Sequence, residues 1–68
     1  MNILLNGEAV AIDGQKPENL QAFLVSQGYK VDTIAVAINQ SFVSRDTYQS
    51  TQIKDNDEID VVAPISGG

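Results

Sequence analysis

The sequence closes on Ser66-Gly67-Gly68, and the group there that could do chemistry is the carboxylate of Gly68. Glycine has no side chain and loses more conformational entropy on ordering than any other residue. Two glycines at a carboxyl end therefore make a slim tip carrying one carboxylate. One reading of such a tip is an ordinary frayed end, since small residues collect at termini. The other makes Gly68 the working group, with Ser66 and Gly67 threading it into a narrow enzyme channel. On these residues alone both readings stand. Little else in the chain competes with them. There is no histidine, so the commonest general base and metal ligand is missing, and no cysteine to serve as nucleophile or thiolate ligand. Asp55-Asn56-Asp57 has the look of a calcium loop, but it lacks the glycine and the glutamate spacing of an EF-hand. Asp and Asn in such a cluster are ordinary turn residues, and a turn is expected there. The five glycines fall at turns or in the tail, so no phosphate-cradling loop is expected. A self-sufficient enzyme is not expected, nor is a bound cofactor or metal.

Sixty-eight residues correspond to one small domain. A chain of this size buries only about 60% of the surface it exposes when unfolded, so its core has little to spare. Four Lys/Arg against nine Asp/Glu give a net charge of −5. Nucleic acid and anionic membranes need a basic footprint and are not expected as partners. A basic protein surface is favoured by the same field. The stretch Met1-Asn2-Ile3-Leu4-Leu5-Asn6-Gly7 has no basic n-region, and no run approaches the ~20 apolar residues of a membrane span. No leader is expected, and the cytoplasm is the expected location.

The elements that would hold such a tail can be read in order. Residues 2–5 predict a strand with Ile3 and Leu5 on one face and Leu4 on the other. Asn6-Gly7 is a strong two-residue hairpin signal, because both positions of a type I′ turn need φ > 0. Residues 9–12 predict the return strand, closed by Asp13-Gly14. Pro17 suits the first position of a helix and Glu18 its first turn. Leu20, Phe23 and Leu24 then give one apolar stripe on a helix of about ten residues, with Gly28 as its stop. Residues 34–38 predict a third strand whose β-branched face meets the helix and whose alanine face meets solvent or a partner. Phe42-Val43 begins a brief edge strand after a turn at 39–41. The polar stretch 44–52 predicts an irregular connection with Tyr48 its only large apolar group, and Ile53 anchors the chain beyond it. Residues 58–63 form the last strand. Ile59, Val61 and Val62 make it apolar on both faces, as expected of a strand in the middle of a sheet, and the first strand is placed beside it. The expected core comprises Ile3, Leu5, Val10, Ile12, Leu20, Phe23, Leu24, Ile34, Val36, Ile38, Ile53, Ile59 and Val61.

This order of strands around one helix is a β-grasp. Four segments carry a closer likeness: Met1-Asn2-Ile3-Leu4-Leu5-Asn6-Gly7, Ala35-Val36-Ala37-Ile38-Asn39-Gln40 running on to Val43 and Arg45, Asp55-Asn56-Asp57-Glu58-Ile59, and Gly67-Gly68. Together they make the whole chain resemble the ThiS family of thiamine-biosynthesis sulfur carriers, within the ubiquitin-like β-grasp folds. Lys16-Pro17 departs from the family, which often has a hydroxyl helix cap there. The resemblance implies an α+β fold with a mixed sheet of four to five strands and one helix across one face. It implies a β-grasp domain over 1–64 and a flexible tail over 65–68. In function it implies a carrier rather than an enzyme. A ThiF-type adenylyltransferase would use ATP to activate the Gly68 carboxylate, and a sulfur donor such as a cysteine desulfurase would convert it to a thiocarboxylate. The thiazole synthase ThiG would then take the sulfur. The docking surface implied is the sheet face away from the helix together with the strand leading into the tail, with Leu4, Phe42, Val62 and Ile65 as candidates. Arg45 matches the family and is expected to be a solvated surface charge. Two other readings are the small subunit of molybdopterin synthase, with the same tail chemistry in a typically longer chain, and a ubiquitin-like interaction module whose tail is never activated.

Overall fold

Two tight turns and one parallel contact set the sheet. The computed structural model describes residues 2–12 and 19–63. Strand β1 (Asn2–Leu5) pairs antiparallel with β2 (Glu8–Ala11), from Asn2↔Ala11 to Leu5↔Glu8. Between them Asn6 and Gly7 have φ of 52° and 84°, as a type I′ turn requires. Strands β3 (Ala35–Ile38) and β4 (Ser41–Val43) form a second hairpin across Asn39 and Gln40, whose φ values are 50° and 70°. The last strand, β5 (Glu58–Val62), runs parallel to β1 and antiparallel to β3. The order is β2-β1-β5-β3-β4, a mixed five-stranded sheet with β5 at its centre and β1 beside it, as expected.

Helix α1 (Leu20–Ser26) covers one face of this sheet with Leu20, Phe23 and Leu24, all fully buried. It is seven residues long rather than about ten, because its cap is Asn19. The Asn19 side chain accepts from the Ala22 N–H at 2.8 Å. Lys16, Pro17 and Glu18 lie outside the described residues, as does Asp13-Gly14. The helix ends as expected on Gly28, at φ 90°. There the N–H groups of Gly28 and Tyr29 donate to Val25 O and Leu24 O, closing a Schellman turn.

The 44–52 connection is more ordered than its polar composition implied. A 3-10 turn over Arg45–Thr47 leads into Tyr48, which is 1% exposed and belongs to the core. The same segment caps the helix: Leu20 N–H donates to Thr51 O at 2.7 Å and Gln21 N–H to Tyr48 O at 3.2 Å. With Asn19 serving Ala22, the first three helical N–H groups all have acceptors, which a short helix needs.

The remaining buried core is Ile3, Ile34, Val36, Ile53, Ile59 and Val61, with Leu5, Val10, Ile12 and Ile38 packed against it. Every core residue expected from the sequence is in one of these groups. One premise is corrected. Neither β1 nor β5 is buried on both faces: Leu4 is 37% and Val62 65% exposed. Among the described residues a single helix covers a single face, and they leave the sheet's other side open.

Candidate functional site

That open face is built by strict alternation. On β5, Ile59 and Val61 point under the helix while Glu58, Asp60 and Val62 point outward. Register extends the outward set across the sheet. Leu4 lies beside Ala9 and Glu58, Ala37 lies between Phe42 and Asp60, and Ala35 lies beside Val62. The alanine face of β3 is therefore outward, as expected, and keeps the surface low around Phe42, which is 75% exposed.

Leu4, Phe42 and Val62 thus share one face. The alanines of β3 lie between Phe42 and Val62, but Leu4 is set apart from Phe42 by Glu58 and Asp60 on the central strand. These two carboxylates were missed in the sequence, where attention went to the apolar members of β5. The signal that reveals them is the period-two pattern of Glu58-Ile59-Asp60-Val61. Ile65, Ser66, Gly67 and Gly68 lie outside the described residues.

Two shallow depressions border the face. One of about 220 Å³ sits at its β1–β2 end and is lined by Asn2, Leu4, Ala9 and Asn56. The other, about 400 Å³, lies beside Val62 at the end of β5 and is lined also by Ala35, Asp32 and Arg45. Arg45 is exposed, as expected.

The acidic turn at the start of β5 is structural. Asp57 is 9% exposed, and its carboxylate accepts from the Asn39 side-chain amide at 3.0 Å and the Lys54 N–H at 2.8 Å. Asp55 accepts from the Asn2 N–H at 2.7 Å. Asn56 takes the positive φ of the turn, at 72°. Asp55 thus ties the turn to β1, while Asp57 closes the turn on Lys54 and ties it to the β3–β4 turn. Among the described residues no group of three or more His, Cys, Asp or Glu is placed to hold a metal.

With this geometry in hand, comparison with known proteins is decisive. The ThiS family model matches residues 3–68. The chain belongs to the ThiS family. Its structure superposes on the crystal structure of the thiamine biosynthesis protein ThiS from Geobacter metallireducens with a TM-score of 0.84, at 25% identity over all of both chains. The β-grasp fold is thereby shared in full. In sequence, the chain is 35% identical over its whole length to a thiazole synthase of Magnetococcus marinus, of which it spans only 20%. It is 28% identical to the uncharacterised protein ycf40 of Porphyra purpurea, spanning 93% of that protein. Among the described residues no helix is long and apolar enough to cross a membrane.

Proposed function

We propose that this ThiS-family chain is the sulfur carrier for the thiazole moiety of thiamine, and that Gly68 carries the sulfur. The observation that supports this most is the family match, which runs through Gly67 and Gly68 to the last residue. The likeness to a thiazole synthase favours the thiazole branch over molybdopterin synthesis.

The chemistry follows from what a carboxylate lacks. Its charge and resonance make it a poor electrophile. A ThiF-type adenylyltransferase joins a Gly68 carboxylate oxygen to the α-phosphorus of ATP, and pyrophosphate leaves. The acyl-adenylate carbon now bears a good leaving group, AMP, which the persulfide sulfur of a donor such as a cysteine desulfurase displaces to give an acyl disulfide. A thiol then cleaves that disulfide reductively, leaving with the donor's sulfur as a new disulfide. The product is a thiocarboxylate on Gly68, which the thiazole synthase ThiG consumes. The carrier contributes the acyl group and the docking face, and supplies neither acid, base nor cofactor; ATP belongs to the partner. Residues 1–64 form the docking domain and 65–68 the tail that reaches the partner's active site. Leu4, Phe42, Val62 and Ile65 are the apolar contacts on this reading, with Ser66 and Gly67 slim enough to thread.

The test is intact mass spectrometry after incubation with ATP, the cognate adenylyltransferase and a sulfur source. The expected products are an AMP adduct and a species with sulfur in place of one oxygen at Gly68. Deletion of Gly67-Gly68 is expected to abolish both while leaving the fold intact. Full cellular function of the truncated chain would sink the reading in favour of an interaction module, and an isopeptide to lysine would point to conjugation instead.

A further inference from the structure

Two asparagines grip the central strand from opposite sides. Asn6 follows β1 and Asn39 follows β3, each as the first residue of a two-residue turn and each in left-handed backbone. The Asn6 N–H donates to Ile59 O at 2.9 Å, and the Asn6 Oδ1 accepts from the Val61 N–H at 2.7 Å. In a parallel ladder one residue bonds two positions of its neighbour, donating through N–H and accepting through its backbone carbonyl. Here the side-chain oxygen takes the place of that carbonyl. The β1–β5 register ends at Leu5↔Ile59, so the Asn6 side chain carries the pairing on past the point where the turn leaves the sheet. Asn39 does the same at the other end of β5: its N–H donates to Glu58 O at 2.7 Å, and its Oδ1 accepts from the Glu58 N–H at 3.0 Å.

The two grips have different consequences. Asn39 holds the beginning of β5, next to the Asp57 turn. Asn6 holds Val61, next to Val62 and the last described residue, Ala63. We propose that Asn6 is a positioning residue for the tail, fixing the point on the sheet from which Gly68 is presented to the adenylyltransferase. This rests on the reading of Gly68 as the activated group. The partner must engage the face formed by Leu4, Phe42 and Val62 and at the same time find the carboxylate in attack geometry. Holding Val61 ties the second requirement to the first. Without Asn6 Oδ1, the Val61 N–H has no acceptor on the β1 side, and the end of β5 is released from that neighbour. Docking survives, because the face belongs to several strands, whereas alignment of the reacting carboxylate suffers. Displacements on the order of 1 Å at a reacting group are enough to cost up to about a hundredfold in rate.

The experiment compares carrier variants in the adenylyltransferase's ATP–pyrophosphate exchange reaction, with hydrogen exchange of the Val61 amide and the thermal midpoint measured on the same proteins. Asn6→Gly suits the positive φ and removes the side chain. It is expected to lower kcat by about tenfold or more with little change in KM, and to speed exchange at Val61. Asn6→Asp keeps an acceptor oxygen in place and is expected to restore kcat. Asn39→Gly removes the equivalent bond at the far end and is expected to lower the thermal midpoint while keeping kcat. If the glycine variant does not fold, Asn6→Ser, with a shorter hydroxyl, is read in the same way. Unchanged kcat in Asn6→Gly, or an equal fall in Asn39→Gly, overturns the proposal. No exchange with the wild-type chain overturns the functional reading itself, and the proposal with it.

Discussion

Tyr48 sits 1% exposed beneath the connection that also caps the helix, with its hydroxyl 3.5 Å from Ile34 O. Truncating it removes a large buried ring and disturbs the carbonyl that serves Gln21. Tyr48→Ala is expected to cost ~3–5 kcal/mol, by analogy with other buried aromatics. Small domains have ~5–15 kcal/mol in total, so this variant should be largely unfolded or close to it in urea titration. Tyr48→Phe keeps the ring and gives up only a long hydrogen bond, so its loss is expected to stay within about 1 kcal/mol. Comparable losses in the two variants would show that the hydroxyl, not the ring, matters. The importance of this residue could not be read from its surroundings. Ser44 to Gln52 is otherwise polar, so nothing local marks Tyr48 as core; only the return of the chain past the helix N-terminus puts it there.

Among the elements, the edge strand β4 offers the clearest separation of stability from recognition. Phe42 is 75% exposed on its outward side, opposite Ala37, and contributes little to the core. Phe42→Ala is therefore expected to leave the thermal midpoint nearly unchanged. If Phe42 is a docking contact, the same change raises the carrier KM of the adenylyltransferase by about tenfold, equivalent to ~1.4 kcal/mol. An unchanged KM would remove Phe42 from the interface and leave it an incidental surface aromatic. The elements themselves were largely legible: Asn6-Gly7, the alternation over 35–38, the Leu20/Phe23/Leu24 stripe and Gly28 each have a local cause. The helix start was less so, because Asn19 displaced Pro17 as the marker. A capping asparagine is recognisable, but its choice over neighbouring candidates depends on where Tyr48 and Thr51 place their carbonyls.

For the whole molecule, charge and shape act together. The net charge is −5, and two of the negative groups, Glu58 and Asp60, stand in the middle of the open sheet face. A partner that covers this face must bring cationic groups among its apolar contacts, since an unpaired buried carboxylate costs several kcal/mol. Opposite fields accelerate encounter and are screened over about 8 Å at physiological ionic strength. The association rate with the adenylyltransferase is expected to fall as salt rises, in stopped-flow or surface-binding measurements. Glu58→Lys with Asp60→Lys should slow association and flatten or invert that salt dependence, with the fold unchanged. A salt-independent association rate for the wild-type chain would place the carboxylates outside the interface.

The likeness to the family was carried by four segments, and composition, period and turn chemistry were enough, from the sequence alone, to specify one small acidic domain, its strands and helix, and most of its core. These features rest on local propensity and on alternation, which a sequence displays directly. Tertiary structure decided the rest. It brought Tyr48 into the core, capped the helix with carbonyls from a segment about thirty residues away, set Glu58 and Asp60 between Leu4 and Phe42, and placed Asn6 against Val61. Each of these joins residues far apart in the chain, and the pairing exists only once β1 and β3 have closed on either side of β5.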